Sequence, residues 1–499
     1  MLALTLRRAA SSSAQFNDQS NQDLGTLVEN SWNSLSDAYR RFEFDESFFQ
    51  AACLLAQVDF AEGGSDRARI QITLCLRLAQ TRGMLNAGYY KDMDALERKQ
   101  HLEIVWSLFI LDRIFIGGSV SVPTTPGLRF TLPTFLGGPG HPDQASSVYG
   151  VTDVPPIVRN PGIVGQYIQL MRTWELVAEY INKDSTVDRM PIWHHDSPRT
   201  AILADLLESE IPCELHTYAS VSPIDRVLQQ PHLESYFRAW IHFQVTHSAT
   251  HCCVNHPFII FVKARRHGSR VPLTFLQKAH KDSLIYASWV ARTISDMNDA
   301  QLDVLDPFLA YLVGIAASIH VEHSSNFEIS IASSAKQKLA TCMAYLMRVS
   351  QVWPKVRKRI AVLQDLQNRI GSRSALHFVE DEYDGAVPVR SLRHVSLSSA
   401  DEQLMWTLFD CSNESKLDMS HRATSASGVV DYTANDAVQI ASAEPDAGVT
   451  ACLHGTQTAP AIEPISSIDA WNPNWSLLGM PWPAYFPSDT SPLDDLSIP

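Results

Sequence analysis

Large apolar side chains recur at every third or fourth position of this chain from about residue 41 to residue 380, and strand-like alternation is scarce. Such spacing lines them up on one face of a helix turning once per ~3.6 residues, whereas a half-buried strand repeats with a period of about two. The fold class expected is therefore all-α. Each striped helix must cover its apolar face with another helix, and 499 residues of which 45% are hydrophobic supply enough material for one large core.

The stripes can be followed along the chain. Ala51, Leu54, Leu55 and Val58 form one, broken by Gly63-Gly64; Ile70, Leu74 and Leu78 form the next, with Gly83 placed to cap its end. A third helix is predicted to open at Asp94 and Glu97, a capping-box-like pair, and to run through Ile104, Leu108, Leu111 and Phe115 to Gly117-Gly118. Further helices are expected at Ile163–Tyr180, Leu233–Val254, Phe275–Met297, Pro307–Val321, Ala335–Val352 and Val356–Ile370. Residues 1–40, rich in Ser and Asn, are read as a disordered lead, residues 41–380 as the helical domain, and residues 381–499 as a disordered acidic tail. The longest nearly uncharged apolar stretch, Pro307 to Ser318, falls short of the about 18–20 residues a membrane span needs, so no membrane partner is expected.

Charge is concentrated at one end. Residues 401–499 hold 14 acids and 2 bases, leaving 40 acids against 38 bases elsewhere. A nearly neutral body offers little attraction to phosphate backbones and the tail repels them, so direct DNA binding by this chain is disfavoured. Near the end of the tail Trp471, Trp475, Leu477, Leu478, Trp482, Tyr485, Phe486 and Leu493 stand among Asp469, Asp489, Asp494 and Asp495. Acids keep such aromatics solvated and available to the groove of a co-activator; the competing reading is a tail that docks on its own body.

Asp66-Arg67-Ala68-Arg69 leads into Leu76-Arg77-Leu78-Ala79-Gln80, Gly83 and Leu85, and is followed by Trp106-Ser107-Leu108-Phe109-Ile110-Leu111-Asp112-Arg113. This order resembles the regulatory middle region of the fungus-specific zinc-cluster transcription factors. Leu128-Arg-Phe-Thr-Leu-Pro133, His256-Pro257-Phe258 and Trp353-Pro354 extend the likeness over residues 41–370, although Gly118-Ser119-Val120 stands where the family has Gly-Arg-Pro and the acid usual before Leu132-Pro133 is missing. The resemblance implies a multi-helix regulatory domain in a nuclear transcription regulator of a metabolic or secondary-metabolite gene cluster, not an enzyme. Homo- or heterodimers and contacts with the transcriptional machinery are implied as well. An alternative is an interaction partner that pairs with a full-length factor and damps it.

Zinc is expected for that family, but its cluster needs C-x2-C pairs that hold shared ions tetrahedrally, and the cysteines at 53, 75, 213, 252, 253, 342, 411 and 452 contain none. No cofactor, metal ligand, catalytic residue or DNA-contacting residue is therefore assigned. The lead before residue 41 is read as too short for the domain's first helices, as in a truncated product or one whose start is placed late.

Five further constellations could carry chemistry. His242, His247, His251, Cys252, Cys253 and His256 crowd one predicted helix, with His247 and His251 one turn apart as zinc ligands or an enzyme's histidines can be; no H-E-x-x-H base accompanies them, so packed or capping histidines are expected. Asp112-Arg113 is read as a tie to a neighbouring helix rather than a catalytic acid and anion clamp. Lys355-Val-Arg357-Lys358-Arg359 and Lys263-Ala-Arg265-Arg266-His-Gly-Ser-Arg270 are either import signals or solvated faces, and Gly137-Gly-Pro-Gly140 is a turn lacking the strand, helix and Lys-Ser/Thr of a phosphate loop.

Overall fold

A computed structural model describes residues 18–116, 162–182, 190–210, 234–266, 271–326, 328–377 and 398–410. All lie in the first of two units, Met1–Ser420; the second, His421–Pro499, falls outside the described residues, as do Gly137–Gly140 and Leu128–Pro133. Among the described residues the fold is all-α, with no strand.

Helix α1 (Asp18–Arg40) packs on α2 (Glu46–Glu62) and buries Val28, Trp32 and Leu35. The expectation of a disordered lead is thereby corrected for residues 18–40, residues 1–17 lying outside the described ones: those three side chains share one helix face, but the polar text around them conceals the stripe. Asp45 starts α2 by accepting a bond from the Phe48 N–H at 2.9 Å, and Gly63 ends it at φ 105°, a left-handed conformation that suits glycine. Helix α3 (Ser65–Thr81) then turns back. Its Arg67 donates through Nε and Nη2 to the buried Asp59 carboxylate, both at 2.5 Å, and lies over the Trp32 ring, so one guanidinium ties α1, α2 and α3 together.

The buried face of α3 is Ala68, Ile72, Cys75, Leu76 and Ala79, not the expected Ile70, Leu74 and Leu78. Ile70 is 68% exposed, and the other two lie at the margin. Small side chains at 68, 75 and 79 present a flatter face to α2 and to α4 (Ala95–Ile116), and a rule weighted toward leucine and isoleucine overlooks them. Gly83 turns the chain at φ 79° after α3, as expected. Asp94 accepts the Glu97 N–H at 2.8 Å at the start of α4, which buries Ile104, Val105, Trp106, Leu108, Phe109, Leu111 and Phe115.

The second half of the body surrounds one helix. Beyond α5 (Gly162–Asn182), α6 (Pro198–Glu210), α7 (Glu234–Asn255), α8 (Pro257–Arg266) and α9 (Leu273–Asp299), helix α10 (Pro307–His323) is buried at every position except Pro307 and Glu322. Asp306 caps it through the Leu309 N–H at 2.9 Å, and Pro307 occupies the first turn, where a missing N–H does no harm. Contacts reach α10 from α7, α9, α11 (Ile329–Val352), α12 (Val356–His377) and α13 (Ser399–Phe409).

Helix α13 corrects a second expectation, that of a disordered tail from residue 381, at residues 398–410. Ser398 and Asp401 form a reciprocal capping box, and Met405, Leu408 and Phe409 are buried. Its C-terminal end is fastened by two side chains: Arg359 Nη1 donates to the Leu408 carbonyl at 2.6 Å, and the Tyr311 hydroxyl donates to the Phe409 carbonyl at 3.1 Å. Arg359 reaches that position by crossing α10 at Gly314, where an added Cβ would lie 2.5 Å from Arg359 Cδ. Gly314→Ala is therefore expected to displace Arg359 and loosen α13, lowering stability by about 1–3 kcal/mol in urea unfolding, whereas Ala316→Gly on the same helix should cost only about 1 kcal/mol. Unchanged stability in Gly314→Ala would contradict this assignment.

Candidate functional site

The histidines singled out on α7 line the seam it forms with α9. Phe243 and His247 stack along the helix at 5.9 Å, His247 meets His251 edge-on at 5.0 Å, and His251 lies flat on the Tyr286 ring of α9 at 3.8 Å. Burial lowers the pKa of His247 to about 4 and pushes that of His251 well below the ordinary imidazole value, with His247 and Arg199 adding repulsion at His251. His256 stands in the one-residue break between α7 and α8, where Nδ1 accepts the Phe258 N–H at 3.2 Å and Nε2 lies 3.0 Å from Ser318 Oγ of α10. It acts as a cap and a packing residue, and burial brings it down to about 3. His242 contacts Tyr167 and is likewise lowered by burial.

Neighbouring Cys252 and Cys253 are buried free thiols whose pKa values rise with burial, which suppresses the nucleophilic thiolate. The α7 histidines do not gather into a three-donor metal group among the described residues.

A second set of histidines, passed over in the sequence because His280, His320 and His323 lie on two different helices, continues the seam. His320 and His323 of α10 are buried, and His280 of α9 sits 4.3 Å from the His323 ring. Burial holds His320 at about 4 and His323 at about 3, the latter also repelled by His280 and His320. The Ala287 backbone slightly favours protonated His320, but neither of its ring nitrogens makes a full hydrogen bond. The adjacent Glu322 is raised to about 7 by burial.

Asp112-Arg113 acts as the sequence suggested. Arg113 is 2% exposed, donates to Asp112 at 2.6 Å and to Glu175 of α5 at 3.0 Å, and lies 4.0 Å from the centre of the Phe109 ring. This buried guanidinium between two carboxylates ties α4 to α5.

The basic clusters do not form continuous solvated faces. Arg359 is buried at the end of α13, and Lys355 reaches Ser65 Oγ at 3.4 Å and the Phe60 ring, leaving Arg357 and Lys358 exposed. Lys263 is buried above the Tyr180 ring.

The segment before α6 contains donors that sequence reasoning passed over. Ser197 Oγ donates to the Ile192 carbonyl at 3.1 Å, and Thr200 Oγ1 donates to the His194 carbonyl at 3.0 Å. These bonds hold a turn carrying His194, His195 and Asp196, with one donor atom of each within 4.8 Å of the others. Behind it Arg199, 6% exposed, donates through Nη2 to Asn255 Oδ1 and covers the Phe275 ring at 4.7 Å.

No family model, no curated protein and no solved structure matches the chain.

Burying neutral histidines links stability to pH with a definite sign. From the ordinary value of 6.5 down to about 4 or 3, the unfolded chain binds protons that His247, His256, His320 and His323 do not bind when folded. Stability from these groups is thus fully present above 6.5 and is lost as pH falls toward the folded values. At about pH 5, each histidine held near 4 should contribute a loss of about 2 kcal/mol. Glu322 acts oppositely between 4.5 and about 7, and so does Asp282, which burial also raises, but the histidines lowered by burial, His242, His251 and His280 among them, outnumber these two carboxyls. The urea midpoint should therefore fall from about pH 7 to about pH 5, and His320→Asn should flatten the decline; an unchanged midpoint would show that these rings are not held neutral.

Proposed function

We propose that the chain is a fungal transcription regulator, acting in the nucleus on a metabolic or secondary-metabolite gene cluster. Its helical body serves as a regulatory domain and its acidic-aromatic tail as the activation segment. The reading rests on the resemblance of the ordered motif series to the fungus-specific regulatory region. Asp66–Leu85 spans α3 and the turn after it, Trp106–Arg113 lies in α4, His256-Pro257 joins α7 to α8, and Trp353-Pro354 joins α11 to α12. Residues at these points tie elements together: Trp353 donates from Nε1 to the Leu305 carbonyl at 3.0 Å, much as Arg67 and Arg113 bind their neighbours.

No C-x2-C pair occurs in the 499 residues, so a second reading is a partner that pairs with a full-length factor and damps it. The two readings differ in what the tail does. Residues 411–499, a boundary that leaves α13 with the body, should raise reporter expression when fused to an unrelated DNA-binding domain in a fungal host. Replacing Trp471, Trp475 and Trp482 with Ala should remove most of that rise, because each is an apolar anchor among acids. A silent fusion at normal protein level would favour the damping partner.

The purified chain itself should show no salt-sensitive binding to duplex DNA, given 40 acids against 38 bases outside the tail. Nanomolar binding to one site in a gel-shift series would overturn that expectation.

A further inference from the structure

We infer that His194, His195 and Asp196 form a binding site for a divalent transition ion of the zinc class. The set is the only one among the described residues in which three or more metal-ligating side chains bring donor atoms within 4.8 Å of one another. Two imidazoles and one carboxylate are the borderline ligands that zinc and its neighbours favour.

The separations fit such an ion. His195 Nε2 lies 3.0 Å from Asp196 Oδ2, and His194 Nδ1 lies 3.7 Å from the same oxygen. Tetrahedral ligands at about 2.0–2.1 Å from zinc stand roughly 3.3 Å apart, between these two values. Small side-chain rotations would therefore equalise them. The His194 Nδ1 lone pair already accepts from the Asp196 N–H across a long 3.2 Å, a weak bond that an ion would replace.

Two properties separate this turn from an arbitrary surface group. First, its backbone is fixed on both sides: Ile192 and Ser197 are buried, Trp193 packs on Phe275 at 6.1 Å, and the His194 and Ser197 N–H groups donate to Pro191 and His194 carbonyls. Second, the ligands remain reachable, since His195 and Asp196 expose 80% and 64% of their side chains and His194 34%. A fixed backbone with exposed donors lowers the ordering entropy of chelation and leaves coordination positions to water. The buried histidines of the α7, α9 and α10 seam lack that accessibility. The inference stands apart from the transcriptional reading and is unaffected by its outcome.

The test is calorimetric titration of zinc chloride into the full-length protein after chelator treatment, followed by cobalt(II) titration read by visible ligand-field absorption. The wild type should bind one equivalent that His195→Ala and Asp196→Asn weaken at least about tenfold, with cobalt intensity and band shape of a site lower than six-coordinate lost in the same variants. Both positions are exposed, so the variants should keep the wild-type circular dichroism and melting temperature in the presence of chelator. Zinc should raise the melting temperature of the wild type only. Unchanged affinity and stoichiometry in both variants would place the ion elsewhere and overturn the assignment, as would the absence of binding to the wild type.

Discussion

Burial of α10 along its whole length is the constraint on which the remainder of the body depends. Residues Phe308 to Val321 are apolar or small apart from Ser318 and His320, so the helix has no face that tolerates water. Apolar area removed from water contributes about 25 cal/mol per Å2, and a helix apolar all round recovers that only when neighbours cover every side. Helices α7, α9, α11, α12 and α13 supply those neighbours. Gly314 is the one point where the cylinder is thinned, and through it passes Arg359, whose far end fastens α13.

Buried charge fixes what apolar packing leaves free. Asp59 with Arg67, and Asp112 with Arg113 and Glu175, join adjacent helices through short charge-assisted bonds. Their net contribution to stability is small because desolvation offsets attraction, but removing Arg67 would leave the buried Asp59, and removing Arg113 the buried Asp112, without its cation. Slippage of a helix by one turn would do the same, so these ties act on register more than on total stability. Arg359 differs in facing carbonyls, and those carbonyls end a helix whose dipole favours a cation there.

Much of the fold was legible because long stripes of leucine, isoleucine and phenylalanine are hard to misread. The six later helices lie where apolar spacing predicted them, and so does α4. What escaped has physical reasons. In α1 the buried residues are sparse among Ser, Asn and Asp; α6 and α8 are short; α13 follows text without periodicity and is defined by its capping box. On α3 small residues form the contact face, so that Ile70 points to solvent. The site was less legible than the fold. Spacing of His247 and His251 correctly put them on one face, but only the packing of Tyr286 against His251 shows that face turned into a helix seam. His194, His195 and Asp196 are consecutive, and their convergence depends on a turn held by Ser197 and Thr200.

If α10 organises the body, its amides should open only when the whole body unfolds. Native-state hydrogen exchange in increasing urea tests this most directly. The amides of Leu312 to Ile319 should be the slowest of the described helices, with an opening free energy and urea slope equal to those of global unfolding. Exchange from α10 by a local opening, with a small urea slope and an opening free energy no greater than that of α1, would contradict the account.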